Sequence, residues 1–349
     1  MGNSMHTPSP RPTGYRMPAE WEPHDSTWIS WPHNRDTWPY ELDRVERTIA
    51  RIVSILSRSE PVRINVGSDE VRRRAQRALD DVGAVGEVRF HAIPTNDAWV
   101  RDYGPLFVVS PDHGLAATCW GFNSWGEKYP PFDLDDAAAE KMAAALAVPR
   151  FEADMILEGG SIDVNGRGVL LTTESCLLNP NRNPSLDRDE IEERLRTYLG
   201  IDQVIWLHEG LTGDDTDGHV DDLARFADPR TVVAAVEDDS ASPDFGVLLE
   251  NLDVLRSAET AAGPLEIIEL PMPSPVVVRG EHMPATYANF YIGNRTVLVP
   301  TFGDQNDEQA LSILRRCFPT RDIVGVDCSD VIGGLGAIHC LTQQVPWAR

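Results

Sequence analysis

The sequence predicts an α/β protein assembled from recurring strand–strand–helix–strand units. Three observations carry this. Helical periodicity recurs along the chain, most helical stretches run soon afterwards into a short β-like run, and these incoming runs return at intervals of roughly 50 to 65 residues, near the range of repeat architectures. Over Leu42 to Arg58 the apolar residues Val45, Ile49, Ile52, Val53 and Leu56 fall on one helical face. Further helices are expected over Glu70 to Val82, Asp135 to Val148, Leu186 to Leu199, Phe245 to Ala258 and Asp307 to Phe318. Several of them stop at Gly or Pro, where helices tend to end.

The incoming β-like runs are VRF at 88–90, MIL at 155–157, VIWL at 204–207, LEIIEL at 265–270 and IVGV at 323–326. Between the units lie LFVV at 106–109, GVLLTT at 168–173, TVVAAV at 231–236 and TVLVPTF at 296–302. Each of the last three follows a turn-like tripeptide: Asn165-Gly166-Arg167, Asp228-Pro229-Arg230 and Gly293-Asn294-Arg295. Side-chain identity hardly repeats, so the period is structural. Pattern alone fits two architectures, a repeat array and an ordinary α/β sandwich with helices on both faces. No linker is evident. The proline-rich 271–284 joins two β-like regions and reads as a long loop, and 1–17 reads as a loosely ordered tail.

With 349 residues, 42% of them hydrophobic, the chain can bury a large core. Its formal charge of -24 repels phosphate backbones and anionic lipid, which argues against nucleic-acid and membrane-surface roles and suits a small cationic partner. The same surface is compatible with a homo-oligomer. The five cysteines, Cys119, Cys176, Cys317, Cys328 and Cys340, form no CxxC pair, so neither a disulfide framework nor a thiolate zinc site is suggested. The polar, proline-rich start lacks the apolar run of a signal peptide, and no apolar run approaches membrane-spanning length. A reducing cytoplasm is the expected compartment.

Chemistry concentrates in a few places. Cys340 sits in GGLGAIHCLTQQ, after a glycine-rich turn and among polar neighbours, a setting for a reactive thiol. The other four cysteines lie in apolar or helical runs and read as small buried hydrophobes. His219 in GDDTDGHVDDLARF is crowded by aspartates, which favour its imidazolium. A protonated histidine beside a cysteine lowers the thiol's pKa and yields the nucleophilic thiolate. Asp102 in NDAWVRDYGP, Glu158 in ILEGGS and Asp221 offer what a guanidinium needs, because its planar fork of N–H donors pairs with carboxylates. His219, Asp221, His339 and Cys340 include zinc-ligand types, but no established zinc or calcium spacing is present. Phosphate and dinucleotide fingerprints are absent too. No metal and no cofactor is expected.

At these residues the sequence resembles the agmatine deiminase family, within the superfamily of guanidine-modifying enzymes that includes arginine deiminases, peptidylarginine deiminases and amidinotransferases. The shared motifs run almost from end to end: MPAEWEPHDSTWISWP, NDAWVRDYGP, FNSWG, MILEGGS, TTESCLLNPNRNP, GHVDDLARF, YANFYI, VPTFGD and AIHCLTQQ. The resemblance implies a five-bladed α/β propeller, or pentein, of ββαβ units around a central pocket, with 18–349 as one catalytic domain. It implies Cys340 as nucleophile, His219 as general acid–base, Asp102 and Asp221 as guanidinium carboxylates, and Glu158 as a further member of the site. The activity it implies is metal-free hydrolysis of agmatine to N-carbamoylputrescine and ammonia through a covalent amidino-cysteine. Alternatives are another small guanidino compound, free arginine with Arg182 facing its carboxylate, or peptidyl-arginine, and more remotely a zinc hydrolase or a guanidine-binding protein. Trp99, Trp125 and Trp347 can wall a channel around the substrate's methylenes. One departure stands out. Family members often read GDEDTNGH where this chain reads GDDTDGH, a residue shorter and with Asp217 in place of Asn. The loop 213–217 is nevertheless the expected site for the substrate's ammonium, through Asp214, Asp215 or Asp217.

Overall fold

The computed structural model describes residue 10 and residues 13–348. In chain order the strands are β1 (His24–Ser30), β2 (Val62–Asn65), β3 (Val88–His91), β4 (Leu106–Ser110), β5 (Gly114–Gly121), β6 (Arg150–Ile156), β7 (Asp163–Val164), β8 (Val169–Thr173), β9 (Gln203–Leu207), β10 (Ala224–Phe226) and β11 (Thr231–Val236). After the small hairpin of β12 (Glu259–Thr260) and β13 (Gly263–Pro264) come β14 (Glu266–Pro271), the hairpin of β15 (Val277–Val278) and β16 (Glu281–His282), then β17 (Tyr291–Ile292), β18 (Thr296–Thr301), β19 (Asp322–Asp327) and β20 (Gln343–Pro346).

Among the described residues these strands form five main sheets with one pattern. In β4-β5-β6, β7-β8-β9, β10-β11-β14 and β17-β18-β19 the first strand runs antiparallel to the second and the second parallel to the third. A helix bridges each parallel pair: Ala138–Leu146, Arg188–Leu199, Phe245–Ser257 and Asp307–Cys317. The fifth sheet, β20-β1-β2-β3, draws on both ends of the chain. Its antiparallel strand β20 is the last in the sequence, and β1 is the first. The molecule is therefore α/β with separate small sheets, and the alternative of one layered sandwich does not hold.

Local sequence explains most elements. Leu42–Leu56 buries its Val45, Ile49, Ile52, Val53 and Leu56 stripe in the largest core cluster. Arg188–Leu199 starts two residues later than the periodicity suggests because Asp187 caps it, with Glu190 completing a reciprocal capping box, and it stops where Gly200 turns left-handed. The expected helix 135–148 breaks into Asp133–Asp136 and Ala138–Leu146. There the Asp135 and Asp136 side chains accept backbone N–H groups of Asn96 and Phe122, tying the first turn to neighbouring loops. The central strands β8 and β11 are buried along almost their whole length, so they read as continuous apolar runs. The 271–284 stretch holds the β15–β16 hairpin rather than a plain loop. The expected loose tail extends too far. Residues 1–9, 11 and 12 lie outside the described residues, but Tyr15 and Met17 are buried and Arg16 bridges Val109 by paired backbone hydrogen bonds.

The connections that leave the carboxyl ends of β3, β6, β9, β14 and β19 each carry one part of the chemistry: Asp102, Glu158, His219 with Asp221, Asn289, and Cys340, respectively. Ligand sites at the carboxyl ends of parallel strands are the general rule for α/β sheets.

Candidate active site

Cys340 follows a short 3-10 turn, Ile332–Gly334, and the left-handed Leu335. A Cβ on Gly336 would lie 2.6 Å from the Trp99 ring, so glycine is needed for the loop to pack down beside Cys340. The thiol lines a cavity of about 850 Å3 together with Asp102, Trp99, Trp125 and Asp215. Only 7% of the residue is exposed. Asn289 Nδ2 donates to Cys340 Sγ at 3.1 Å and to Asp222 Oδ1 at 2.8 Å, while its Oδ1 accepts the His339 N–H at 2.9 Å. Asp221 Oδ2 lies 3.9 Å from Sγ.

Behind the thiol the acidic residues converge on Gly160. A Cβ there would meet His219 Nδ1 at 2.6 Å, Asp102 Oδ1 at 2.8 Å and Asp221 Oδ2 at 3.1 Å. Asp102 accepts the Gly160 N–H and the Trp125 indole N–H, both at 3.0 Å. His219 Nδ1 stands 3.6 Å from Asp102 Oδ1. Glu158 accepts from Arg182 Nε at 2.6 Å through one oxygen. Asp221 accepts from His339 Nδ1 at 2.6 Å through one oxygen. Among the described residues no oxygen or nitrogen hydrogen-bonds Glu158 Oε2, Asp221 Oδ1 or either His219 nitrogen, although all are buried; the Cys176 thiol faces His219. Buried polar atoms are almost always satisfied, so this convergence reads as a site built for a polar ligand.

The electrostatics are strongly tuned. Burial, reinforced by Asp221 and Glu158, pushes the Asp102 carboxyl up to about 6 against the pull of His219. Burial opposes the His219 imidazolium, but Asp102, Cys176 and Asp221 outweigh it and hold its pKa well above the usual imidazole range. Burial also opposes the Asp221 carboxylate, yet His339, His219 and Arg225 keep its pKa below the ordinary value. Burial and the facing Asp221, Asp222 and Asp102 raise the Cys340 thiol well above its normal range. The lowering of the thiol's pKa expected from His219 is thus opposed by burial and by the carboxylates around Cys340.

The structure brings Cys340, His219, Asp102, Asp221 and Glu158 together, and it puts Trp99, Trp125 and Asp215 on the cavity wall. Four other residues are not placed as expected. Trp347 is half exposed and is not among the cavity-lining residues. Asp214 turns inward to accept from Thr216 and the His219 N–H, which caps its own loop. Arg182 is buried between Glu158 and Asp217, so it cannot greet a substrate carboxylate. Asp217 is likewise committed, to Arg182 and to Lys128. Sequence reasoning gave no site role to Asn289, Gly160 and Glu20, whose only signal was membership of the shared motifs, or to Asp222, which it read only as one of the aspartates crowding His219. It also gave Cys176 no role, yet that thiol lies with Glu158 and His219 in a buried group of metal-ligand atoms within 4.8 Å of one another. Asp221, Asp222 and Cys340 form a second such group. In each, the carboxylates already serve Arg182, His339 or Asn289.

A buried thiol, a histidine whose pKa is held high and carboxylate oxygens without partners around them are the groups that a cysteine-dependent site for guanidinium groups needs, on an α/β frame. The family model for Porphyromonas-type peptidyl-arginine deiminases matches residues 16–346, and the chain belongs to that family. It is 38% identical over 370 residues to the agmatine deiminase of Pseudomonas aeruginosa (strain UCBPP-PA14), covering 99% of both chains. The solved agmatine deiminase of Enterococcus faecalis is 33% identical, with a TM-score of 0.93 over 99% of this chain and 100% of that one. A substrate-bound agmatine deiminase of C. jejuni is also 33% identical, with a TM-score of 0.87 over 95% of this chain and 96% of that one.

Proposed function

We propose that this protein is an agmatine deiminase: a metal-free, cysteine-dependent hydrolase that converts agmatine to N-carbamoylputrescine and ammonia inside a five-bladed propeller. The observation that carries this reading is the set of unpaired buried acceptors, Glu158 Oε2 and Asp221 Oδ1, beside the Cys340 thiol and His219. A guanidinium donates along a planar fork to acceptors so placed. The repeated sheet pattern, with one site segment from each connection and one sheet closed by both chain ends, supports the propeller. A reactive free thiol suits the reducing cytoplasm.

The chemistry follows from the charges. An arriving guanidinium offsets Asp102 and Asp221, two of the three carboxylates that raise the thiol's pKa, so Cys340 loses its proton to solvent as the substrate binds. The thiolate attacks the guanidinium carbon. His219, already protonated, donates to the departing nitrogen, and ammonia leaves. The amidino-thioether then takes up water as His219 accepts its proton. The C–S bond breaks, releasing the ureido product and restoring the thiolate. Glu158, clamped by Arg182, holds a guanidinium nitrogen or orients His219.

At the far end, Asp215 is the loop carboxylate on the cavity wall, held by the Tyr129 hydroxyl, and it is placed to meet a primary ammonium. Free arginine fits poorly, because Arg182 is already consumed. The test is a panel of guanidino compounds assayed for ammonia release, with Cys340→Ala as control and with parent protein dialysed against a strong chelator. Agmatine should be turned over with the highest kcat/KM, with no turnover by Cys340→Ala and no loss on chelation. Activity in Cys340→Ala, or loss on chelation restored by zinc, refutes the mechanism.

A further inference from the structure

His339 precedes the nucleophile yet faces away from the cavity. Its ring is buried between two carboxylates, with Nδ1 2.6 Å from Asp221 Oδ2 and Nε2 2.9 Å from Glu20 Oε2. The three residues come from distant places: Glu20 from the segment before β1, Asp221 from the connection after β9, and His339 from the connection after β19. Glu20 is itself fixed by Arg225 Nη2 at 3.0 Å, Arg101 Nη2 at 3.3 Å and the Ile292 N–H at 2.7 Å. Although burial opposes ionisation, Arg225, His339 and Arg101 hold Glu20 well below the usual carboxylate range, and Asp221 is held low as described above. Each ring nitrogen therefore faces a carboxylate oxygen at hydrogen-bonding distance, and the imidazole is held from both ends.

We propose that His339 is a positioning residue for the guanidinium, acting through Asp221. By donating to Oδ2 it fixes the plane of that carboxylate and leaves Oδ1, buried and without a protein partner, as the acceptor presented to the substrate. Glu20 clamps the opposite ring nitrogen and stops the imidazole from turning. The clamp also supplies charge. Asp221 is faced by His339, His219 and Arg225 on the cationic side and by Asp102, Asp222 and Cys340 on the acidic or thiol side. Without His339 the acidic side dominates, the Asp221 pKa rises, and the carboxylate is lost at higher pH as the solution is acidified.

This rests on the deiminase reading in one respect: the occupant of Asp221 Oδ1 is a guanidinium. The test measures agmatine affinity by calorimetry across pH in a Cys340→Ala background, where binding is separated from turnover. An asparagine amide nitrogen can replace Nδ1 as the donor to Asp221, whereas a glutamine amide reaches the place of Nε2 and leaves Asp221 unsupported. His339→Gln should weaken Kd at least about tenfold, His339→Asn clearly less, and Glu20→Gln in the same direction by a smaller factor. In His339→Gln the pH below which binding weakens should move upward by about one pH unit. Placed in an Asp221→Asn background, His339→Gln should cost less than about threefold, because its partner is gone. Equal losses in His339→Asn and His339→Gln, an unmoved pH dependence, or the same loss with and without Asp221 would overturn the proposal. Should His339→Gln not fold, an unchanged Kd in Glu20→Gln and His339→Asn overturns it as well. A parent protein that binds no guanidine at all defeats the functional reading and this proposal together, whereas tight binding indifferent to His339 defeats this proposal alone.

Discussion

At Gly160 there is no room for a side chain. A methyl group would sit within 2.6 to 3.1 Å of His219, Asp102 and Asp221 at once, and its neighbours cannot retreat without losing their mutual placement. Gly160→Ala should therefore lower kcat/KM by at least about a hundredfold, since displacements of about 1 Å are that costly to a preorganised site. Near-parent activity in that variant would show that the acidic cluster is not the reacting centre. Asp102 supplies a second test. Its carboxyl is raised to about 6, so it is ionised above that pH and neutral below it. A neutral carboxyl cannot hold a cation, and kcat/KM reports the free enzyme. The profile should accordingly fall on the acid side with a midpoint near 6. A midpoint near the ordinary carboxylate value of about 4 would remove Asp102 from substrate binding.

Two loops frame the cavity, and their backbones show how much order the site needs. Ser124, Trp125, Gly126 and Glu127 are all at positive φ, three of them without glycine's freedom. Such conformations cost about 1–3 kcal/mol each and persist where surrounding structure imposes them. Here the run turns the Trp125 indole N–H onto Asp102. Opposite it, the loop 213–217 is short and internally committed: Asp214 caps it, Asp217 holds Lys128 and Arg182, and of its three aspartates Asp215 lines the cavity, beside Thr216. Asp215→Asn should reduce kcat/KM for agmatine far more than for an alkylguanidine of equal length. Screened long-range attraction would instead treat both cations alike. Equal effects on the two compounds would remove this loop from ammonium recognition.

At the scale of the whole molecule, the two ends of the chain meet in one sheet. Strand β20 pairs with β1, whose Thr27, Trp28 and Ile29 are fully buried, and Glu20 ties the N-terminal segment to Arg225, Arg101 and His339. Deleting residues 343–349 strips β1 of one neighbour and opens a buried apolar edge, the kind of edge that recruits other chains. The truncated protein should melt at least about 5 °C lower and tend to aggregate, which thermal unfolding and light scattering will show. An unchanged melting temperature would mean that the fifth sheet does not depend on its C-terminal strand.

Elements with strong local periodicity were legible from the sequence. The Leu42–Leu56 stripe, the buried runs of β8, β11 and β18, and the helix Asp307–Cys317 follow from apolar spacing alone, because a stripe or run must face a core whatever the partner is. Strand β20 was not, since Gln343 and Gln344 carry no strand-like alternation and pair with β1 more than 300 residues away. At the site, Cys340, His219, Asp102, Asp221 and Glu158 were marked by residue chemistry and by resemblance. Their ionisation states were not, because a pKa answers to every charge that packing brings near. Local sequence put aspartates beside His219 and suggested a thiolate at Cys340, whereas packing stacked Asp221, Asp222 and Asp102 around the thiol and pushed its pKa up. The three loop aspartates look equivalent as a string. Only the fold, by offering Thr216 to one, Lys128 and Arg182 to another and the cavity to Asp215, made them different.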